Sequence, residues 1–253
     1  MKKRNLIVWI NLLSFIVTLM VNFLATNLPL NNITTGEISD RFDIYFVPAG
    51  YVFSIWGLIY LGLLGFVIYQ ALAKNWEDTR LARIDIWFAV SNIANALWLV
   101  SFHYLQFALA MGFMLVLLFS LIMIFLRLRV GIEKSTGFDL WLVNVPFGIY
   151  LGWITVATVA NATQVLNSLD WNGFGIAPEI WLAIMLAAGV VISALMSFSR
   201  RNIPHALVLI WAFVGIAVRF PDVPLVNIAA WAAAGAVGLL LLFALISKPK
   251  ETA

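Results

Sequence analysis

The chain reads as an all-α, polytopic membrane helix bundle of about eight transmembrane helices, and three observations lead there. First, 63% of its 253 residues are hydrophobic and only 11% are charged, with a mean hydropathy of +0.99. A soluble domain carries about 25% charged residues because water must wet its surface, and one core could not hide this much apolar area. Second, the apolar residues come in continuous runs of about 17 or more, where barrel strands would alternate. In lipid every backbone polar group must be satisfied internally, so these runs are helices. Third, the basic residues are confined to short loops and alternate between rich and poor along the chain.

The spans follow from the charge-free stretches. Met1-Lys-Lys-Arg4 precedes an apolar run of about 23 residues without a clear small-x-small cleavage site, which reads as an uncleaved first helix over Leu6–Leu28, ending before Pro29. The second lies within Ile44–Ala73. Ile86–Leu126 is free of charge throughout, and as one helix it would be about 62 Å long, twice a bilayer core of about 30 Å. It must fold into two helices, and His103-Tyr104-Leu105-Gln106 is the natural turn. The remaining spans are Leu140–Asn161, Pro178–Phe198, Pro204–Val218 and Val223–Ile246. With the amino terminus in the cytoplasm, 13 of the 15 basic residues fall inside (Lys2, Lys3, Arg4, Lys74, Arg80, Arg83, Arg127, Arg129, Lys134, Arg200, Arg201, Lys248, Lys250) and only Arg41 and Arg219 outside. That split follows the positive-inside rule, and one miscounted helix would destroy it. Both termini are therefore expected in the cytoplasm.

The chemistry available is narrow. Without cysteine there is no disulfide, thiolate metal site or cysteine nucleophile. His103 and His205 fall at opposite faces of the membrane, where they cannot share a metal, and read as interfacial residues in turns. Asp85, Asp139, Glu179 and Asp222 sit at helix ends, so no mid-span carboxylate supplies a proton relay. Scattered basic residues exclude a nucleic-acid face. No nucleophile, base or metal set is evident, and no enzymatic activity is expected.

Aromatic residues are what remains. Of 11 tryptophans, Trp9, Trp76, Trp141 and Trp171 lie near span ends and suit an interfacial belt. Others fall within spans on shared helical faces: Trp56 with Tyr60; Asn95, Trp98 and Phe102; Tyr150, Trp153 and Ala157. Such stripes serve helix packing, or line a pocket for a flat apolar ligand.

These segments resemble the tryptophan-rich sensory protein family, also called TspO/MBR or translocator protein. Val47-Pro48-Ala-Gly-Tyr51-Val-Phe53-Ser-Ile-Trp56-Gly-Leu-Ile-Tyr60 is similar to the family's proline-bearing entry followed by Phe, Trp and Tyr, with Ser54-Ile55 where the family has Gly-Pro. Asn95-Ala-Leu-Trp98-Leu-Val-Ser-Phe102 resembles its Asn-x-x-Trp with a trailing Phe. Tyr150-Leu-Gly-Trp153-Ile-Thr-Val-Ala157-Thr158-Val-Ala-Asn161 resembles its Tyr-x-x-Trp, Ala-Thr and closing Asn. The motifs keep family order across residues 6 to 163.

The resemblance implies a five-helix unit over residues 1–163 holding a flat apolar ligand of the porphyrin, haem or sterol class, with a three-helix membrane extension over 164–253. It implies a pocket lined by Trp56, Tyr60, Asn95, Trp98, Tyr150, Trp153 and Ala157, with Phe107 as a further aromatic beyond the turn. No cofactor is required, a tetrapyrrole being a ligand. Expected partners are membrane lipid and the small apolar ligand, with a homodimer left open, in a bacterial cell (inner) membrane. The family roles are sensing, stress regulation or tetrapyrrole handling; the alternative is a secondary transporter of a small neutral solute. Val67-x-Tyr69-x(4)-Lys74 also fits the loose cholesterol-contact pattern, beside a plain interfacial reading of the same Tyr and Lys.

Overall fold

A computed structural model describes residues 2–27, 30–42, 44–72, 75–76, 78–135 and 137–247, apart from the side chains of Lys2 and Lys3. Met1, Leu28, Pro29, Ala73, Lys74, Lys248 and Lys250, used in the sequence reading, lie outside the described residues. The described residues form eight long helices: α1 (Lys2–Asn27), α2 (Ile55–Ala71), α3 (Trp87–His103), α4 (Phe107–Arg127), α5 (Val145–Ser168), α6 (Pro178–Arg200), α7 (Ile203–Arg219) and α8 (Pro224–Ile246). No strand occurs among them. The chain is a polytopic all-α membrane bundle. Counting their continuous lead-in turns, six helical segments are at least 18 residues long and apolar enough to cross a bilayer. The two others, α3 and α7, have 17 residues each, about 26 Å at 1.5 Å per residue.

α3 shows why a less apolar helix is tolerated. It carries Ser91, Asn92, Asn95 and Ser101, all of them buried, so its polar groups meet protein rather than lipid. The 41-residue run breaks where the turn was expected, α3 ending at His103 and α4 beginning at Phe107. Leu105 takes a left-handed backbone there (φ 58°).

Neighbour contacts close the first five helices into a ring in the order α1, α2, α5, α4, α3 and back to α1. α2 and α3 face each other across it through side chains. The last three helices pack on one another, and α7 lies along the outer face of α5. The helices cross where side chains are absent. A Cβ on Gly152 would stand 3.1 Å from the Cα and carbonyl oxygen of His205, and one on Gly62 3.1 Å from the Pro146 ring. Small residues allow such approach, and close packing is the chief attraction between helices in lipid. α7 also meets the entry to α2: Ala49 N–H donates to the Gly215 carbonyl at 3.0 Å and Trp211 Nε1 to the Val52 carbonyl at 3.2 Å.

Polar side chains collect at the two ends. At one end Arg80 reaches Asp139, the Asn144 Oδ1 (2.5 Å) and the Leu128 carbonyl (3.2 Å). Glu133 takes Arg83 at 2.8 Å and Arg129 at 3.5 Å, and the Arg83 hydrogen bond holds its carboxyl below the ordinary range. Asn144 is brought to Arg80 by a π turn over Leu140–Asn144, just ahead of Pro146. Asp139, read from the sequence only as a helix-end residue, is an ion-pair partner. At the other end Arg219 pairs with Asp40 at 2.7 Å, and Tyr45 donates to Glu179 at 3.2 Å.

Both histidines are a correction to the sequence reading. Instead of interfacial turn residues they are 0% and 1% exposed, His103 closing α3 and His205 in the first turn of α7. His103 Nδ1 lies 3.2 Å from the Leu30 carbonyl oxygen, which can only accept, so Nδ1 carries a proton. Its Nε2 is 3.0 Å from the Thr35 hydroxyl. Val67 is 2% exposed, so it turns inward and gives a lipid-side sterol nothing to touch.

Candidate functional site

The three motif helices bring their aromatic faces together inside the five-helix ring. Trp56 of α2 stands at the centre. It stacks on Tyr60 (centroids 5.6 Å apart) and on Trp98 of α3 (5.7 Å), and meets Tyr150 and Trp153 of α5 edge-on at 6.1 and 6.2 Å. Phe53 meets Trp153 at 5.9 Å, and Trp98 stacks on Phe102 at 5.6 Å. Rings at these separations gain about 0.5–1.5 kcal/mol per pair beyond their buried area.

Below the rings lies a polar knot that spans four helices. Asn95 Nδ2 donates to the Tyr150 hydroxyl at 3.0 Å. Asn95 Oδ1 accepts from Asn22 Nδ2 of α1 at 3.2 Å and lies 3.3 Å from the Tyr60 hydroxyl, whose shorter bond is to Asn22 Oδ1 at 2.7 Å. Above the rings, Trp98 Nε1 donates to Asn161 Oδ1 at 2.9 Å, and Asn161 Nδ2 to the Ala157 carbonyl at 2.9 Å. A buried polar group in lipid needs a partner, and here nearly every one has it.

Among the described residues lining the cleft beside the rings, the exceptions are Gln164 Oε1 and, within the aromatic cluster itself, Trp153. Its indole is 3% exposed, and Nε1 has no hydrogen-bond partner among the described residues. It borders a small cleft that Phe53, Trp56, Trp98, Ala157 and Asn161 also line, covered by Thr35, Ser39, Val47 and Pro48. The cleft holds about 40 Å³, room for a water or two rather than a flat tetracycle.

Of the residues expected to form the site, Trp56, Trp98, Trp153 and Ala157 line this cleft. Tyr60, Asn95 and Tyr150 sit beneath it in the polar knot. Phe107 stands one ring further out, against Phe102 (5.8 Å) and Phe42 (4.9 Å). Asn22 and Phe53 belong to the group and were not anticipated. Phe53 lay within the quoted motif, whereas Asn22 is, with Asn11, one of two amides well inside a long apolar run, the signal that could have found it.

The cover is the segment between α1 and α2. A six-residue helix, Thr35–Asp40, opens with a capping box in which Thr34 and Glu37 bond each other's backbone N–H. Three polar contacts fasten it: Thr35 to His103, Gln164 Nε2 to Ser39 at 3.5 Å, and Asp40 to Arg219.

Comparison with known proteins agrees with this architecture. A family model described as TSPO-like protein matches residues 8–243, so the match runs through all eight helices rather than the first five alone. No curated protein and no solved structure matches the chain. With the motif aromatics converged on Trp56 and a family match over nearly its whole length, the chain belongs to the TSPO-like protein family.

Proposed function

We propose that this membrane protein is a sensor or translocator that binds a flat apolar molecule of the porphyrin, haem or sterol class between α2, α3 and α5. The observation that carries the reading is Trp153 Nε1, a buried N–H without a partner beside a cleft walled by aromatic faces. Leaving such a donor unpaired costs about 1–3 kcal/mol. A ligand with a ring to stack and an oxygen to accept that proton recovers the cost. Porphyrins carry such an oxygen as a carboxylate, sterols as a hydroxyl.

A ligand of this size requires the cleft to widen. The cover over Thr35–Asp40 is the element that yields, since it is short and, apart from the single core side chain Ile38, is fastened by a few polar contacts. Sensing and translocation both follow from a binding event that moves this cover. The basic end holding Arg80, Arg83, Arg127 and Arg129 is taken as cytoplasmic, which puts the cover and the ligand entrance on the opposite side.

The test is a binding screen on purified protein with protoporphyrin, haem and cholesterol. Saturable binding of at least one at one site per chain is expected, with tryptophan quenching by the porphyrin. Unsaturable partitioning of all three contradicts the reading.

A further inference from the structure

A cavity far larger than the aromatic cleft lies elsewhere in the protein. It is a groove of about 870 Å³ on the outer side of the seam between α2, α5 and α7, closed at one end by the loop after α4. Its long walls are apolar and exposed, with Leu58 and Leu207 each 53% and Trp211 39% exposed. From Ile203 to Trp211 the groove follows α7 for eight residue steps, about 12 Å, most of the roughly 15 Å of one leaflet of a 30 Å hydrocarbon core.

The closed end differs from the walls. Arg200 Nη1, Asn202 Nδ2 and Ser135 Oγ line it or adjoin it, all buried and all without a hydrogen-bond partner among the described residues. Asn202 as a whole is 4% exposed. Lys134 and Arg201 add charge. The one carboxylate among the described lining residues, Glu133, is taken up by Arg83, Arg129 and Arg80, so it does not neutralise Arg200. Gly131 holds the loop in place. With φ +77° and no side chain, it lets the loop press against the Arg200 carbonyl where any Cβ would collide. Arg200 lies over the Phe125 ring and Arg201 donates to the Ser247 carbonyl, but neither meets a carboxylate among the described residues. Unpaired donors with un-neutralised positive charge at the end of an apolar trough match an amphiphile with an acidic head.

We propose that the groove between α2, α5 and α7 holds one anionic phospholipid, its acidic head group against Arg200, Asn202 and Ser135 and an acyl chain along Leu58, Leu207 and Trp211. The site is separate from the aromatic cleft, shares no lining residue with it, and stands whether or not the flat ligand binds.

The experiment is a melting series on delipidated protein in a neutral detergent, with phosphatidylglycerol, phosphatidylcholine or inorganic phosphate added. Two variants accompany it: Arg200→Gln, which removes the head-group charge, and Leu207→Trp, which fills the trough from an exposed position. Phosphatidylglycerol is expected to raise the melting temperature of the wild type and to bind at least tenfold more tightly than phosphatidylcholine, with phosphate alone having no effect. Both variants are expected to lose that preference by about tenfold while melting as the wild type does without lipid. If Arg200→Gln fails to fold, Leu207→Trp alone decides. Equal stabilisation by the two lipids, stabilisation by phosphate alone, or an undiminished response in Leu207→Trp overturns the proposal. So does a groove occupied by a second copy of the chain, seen as a dimer that no lipid alters.

Discussion

The indole N–H of Trp98 donates to the side-chain oxygen of Asn161 at 2.9 Å, joining α3 to α5 across 63 residues of sequence. Both residues are buried, and Asn161 Nδ2 in turn donates to the Ala157 carbonyl. The bond fixes the plane of Trp98, and so the face it offers to Trp56.

Replacing Asn161 with Leu strands that N–H. Side-chain hydrogen bonds between membrane helices are worth about 0.6 kcal/mol on average and up to about 2, and this one is fully enclosed, so a loss of about 1–2 kcal/mol is expected. Reversible unfolding in mixed micelles measures it. Trp98→Phe in the Asn161→Leu background removes the stranded donor, and the double-mutant cycle should show the two substitutions to be clearly non-additive. Additive effects would mean that the bond contributes nothing.

The seam between α5 and α7 depends on Gly152. A valine there meets the His205 backbone and the Val208 side chain at once, and overpacking of this kind costs about 1–3 kcal/mol. Gly152→Val is expected to lower stability in micelles by that amount, and Gly152→Ala by less. A chain ending near Gly175 lacks α7 altogether but keeps the closed five-helix ring. We expect it to insert with the aromatic cluster intact, read by the near-ultraviolet circular dichroism of its tryptophans. Loss of all folded protein would make the eight helices one inseparable unit.

The cover responds to acid. The Thr34 backbone N–H, and then its hydroxyl, hold the Glu37 carboxyl below its ordinary value of 4.5. A depressed carboxyl stabilises the folded cover at pH above its unfolded pKa, and that contribution is lost as pH falls through the folded pKa. Because the chain has no cysteine, a spin label at Gly36→Cys reports the cover alone. Its spectrum should be immobilised at pH 7 and sharpen as pH falls through the depressed carboxyl's range, below its ordinary 4.5, whereas adding Glu37→Gln should sharpen it throughout. A pH-independent spectrum in the wild type would remove Glu37 from any part in holding the cover.

Asp40 and Arg219 fasten the same cover from α7. Asp40 is 61% exposed on its side chain, so the pair is worth at most about 1 kcal/mol. Asp40→Asn is expected to speed porphyrin association roughly two- to fivefold in stopped flow, and high salt should do the same to the wild type. Unchanged rates would place the entrance elsewhere.

Much of the architecture was legible in the sequence because lipid leaves so few choices. Apolar runs must be helices, charges must stand at their ends, and His103–Gln106 lies near the middle of a run too long for one span. The convergence of Trp56, Trp98, Tyr150 and Trp153 was legible from spacing together with the family resemblance. What escaped were properties of side chains meeting across the bundle. His103 and His205 look interfacial along the chain, yet Leu30 and Thr35 enclose the first and the α5–α7 seam the second. The π turn that carries Asn144 to Arg80 leaves no periodic trace in five residues. Nor does spacing say how wide a pocket is: the same stripes that could wall a roomy site close here on 40 Å³.

The account turns on Trp153. Its most direct measurement is porphyrin affinity by absorbance titration, independent of protein fluorescence, for wild type, Trp153→Ala, Trp153→Phe and Trp231→Ala. Removing the ring should weaken binding by roughly three- to tenfold or more, given about 0.5–1.5 kcal/mol for stacking beyond buried area. Trp153→Phe keeps a ring but not the N–H, and about 1 kcal/mol for the lost hydrogen bond predicts roughly fivefold weakening. Trp231, 49% exposed on α8, should be replaceable without effect. Affinities of Trp153→Ala and Trp153→Phe equal to the wild type would contradict the account, and leave the aromatic cluster a packed core with no ligand to hold.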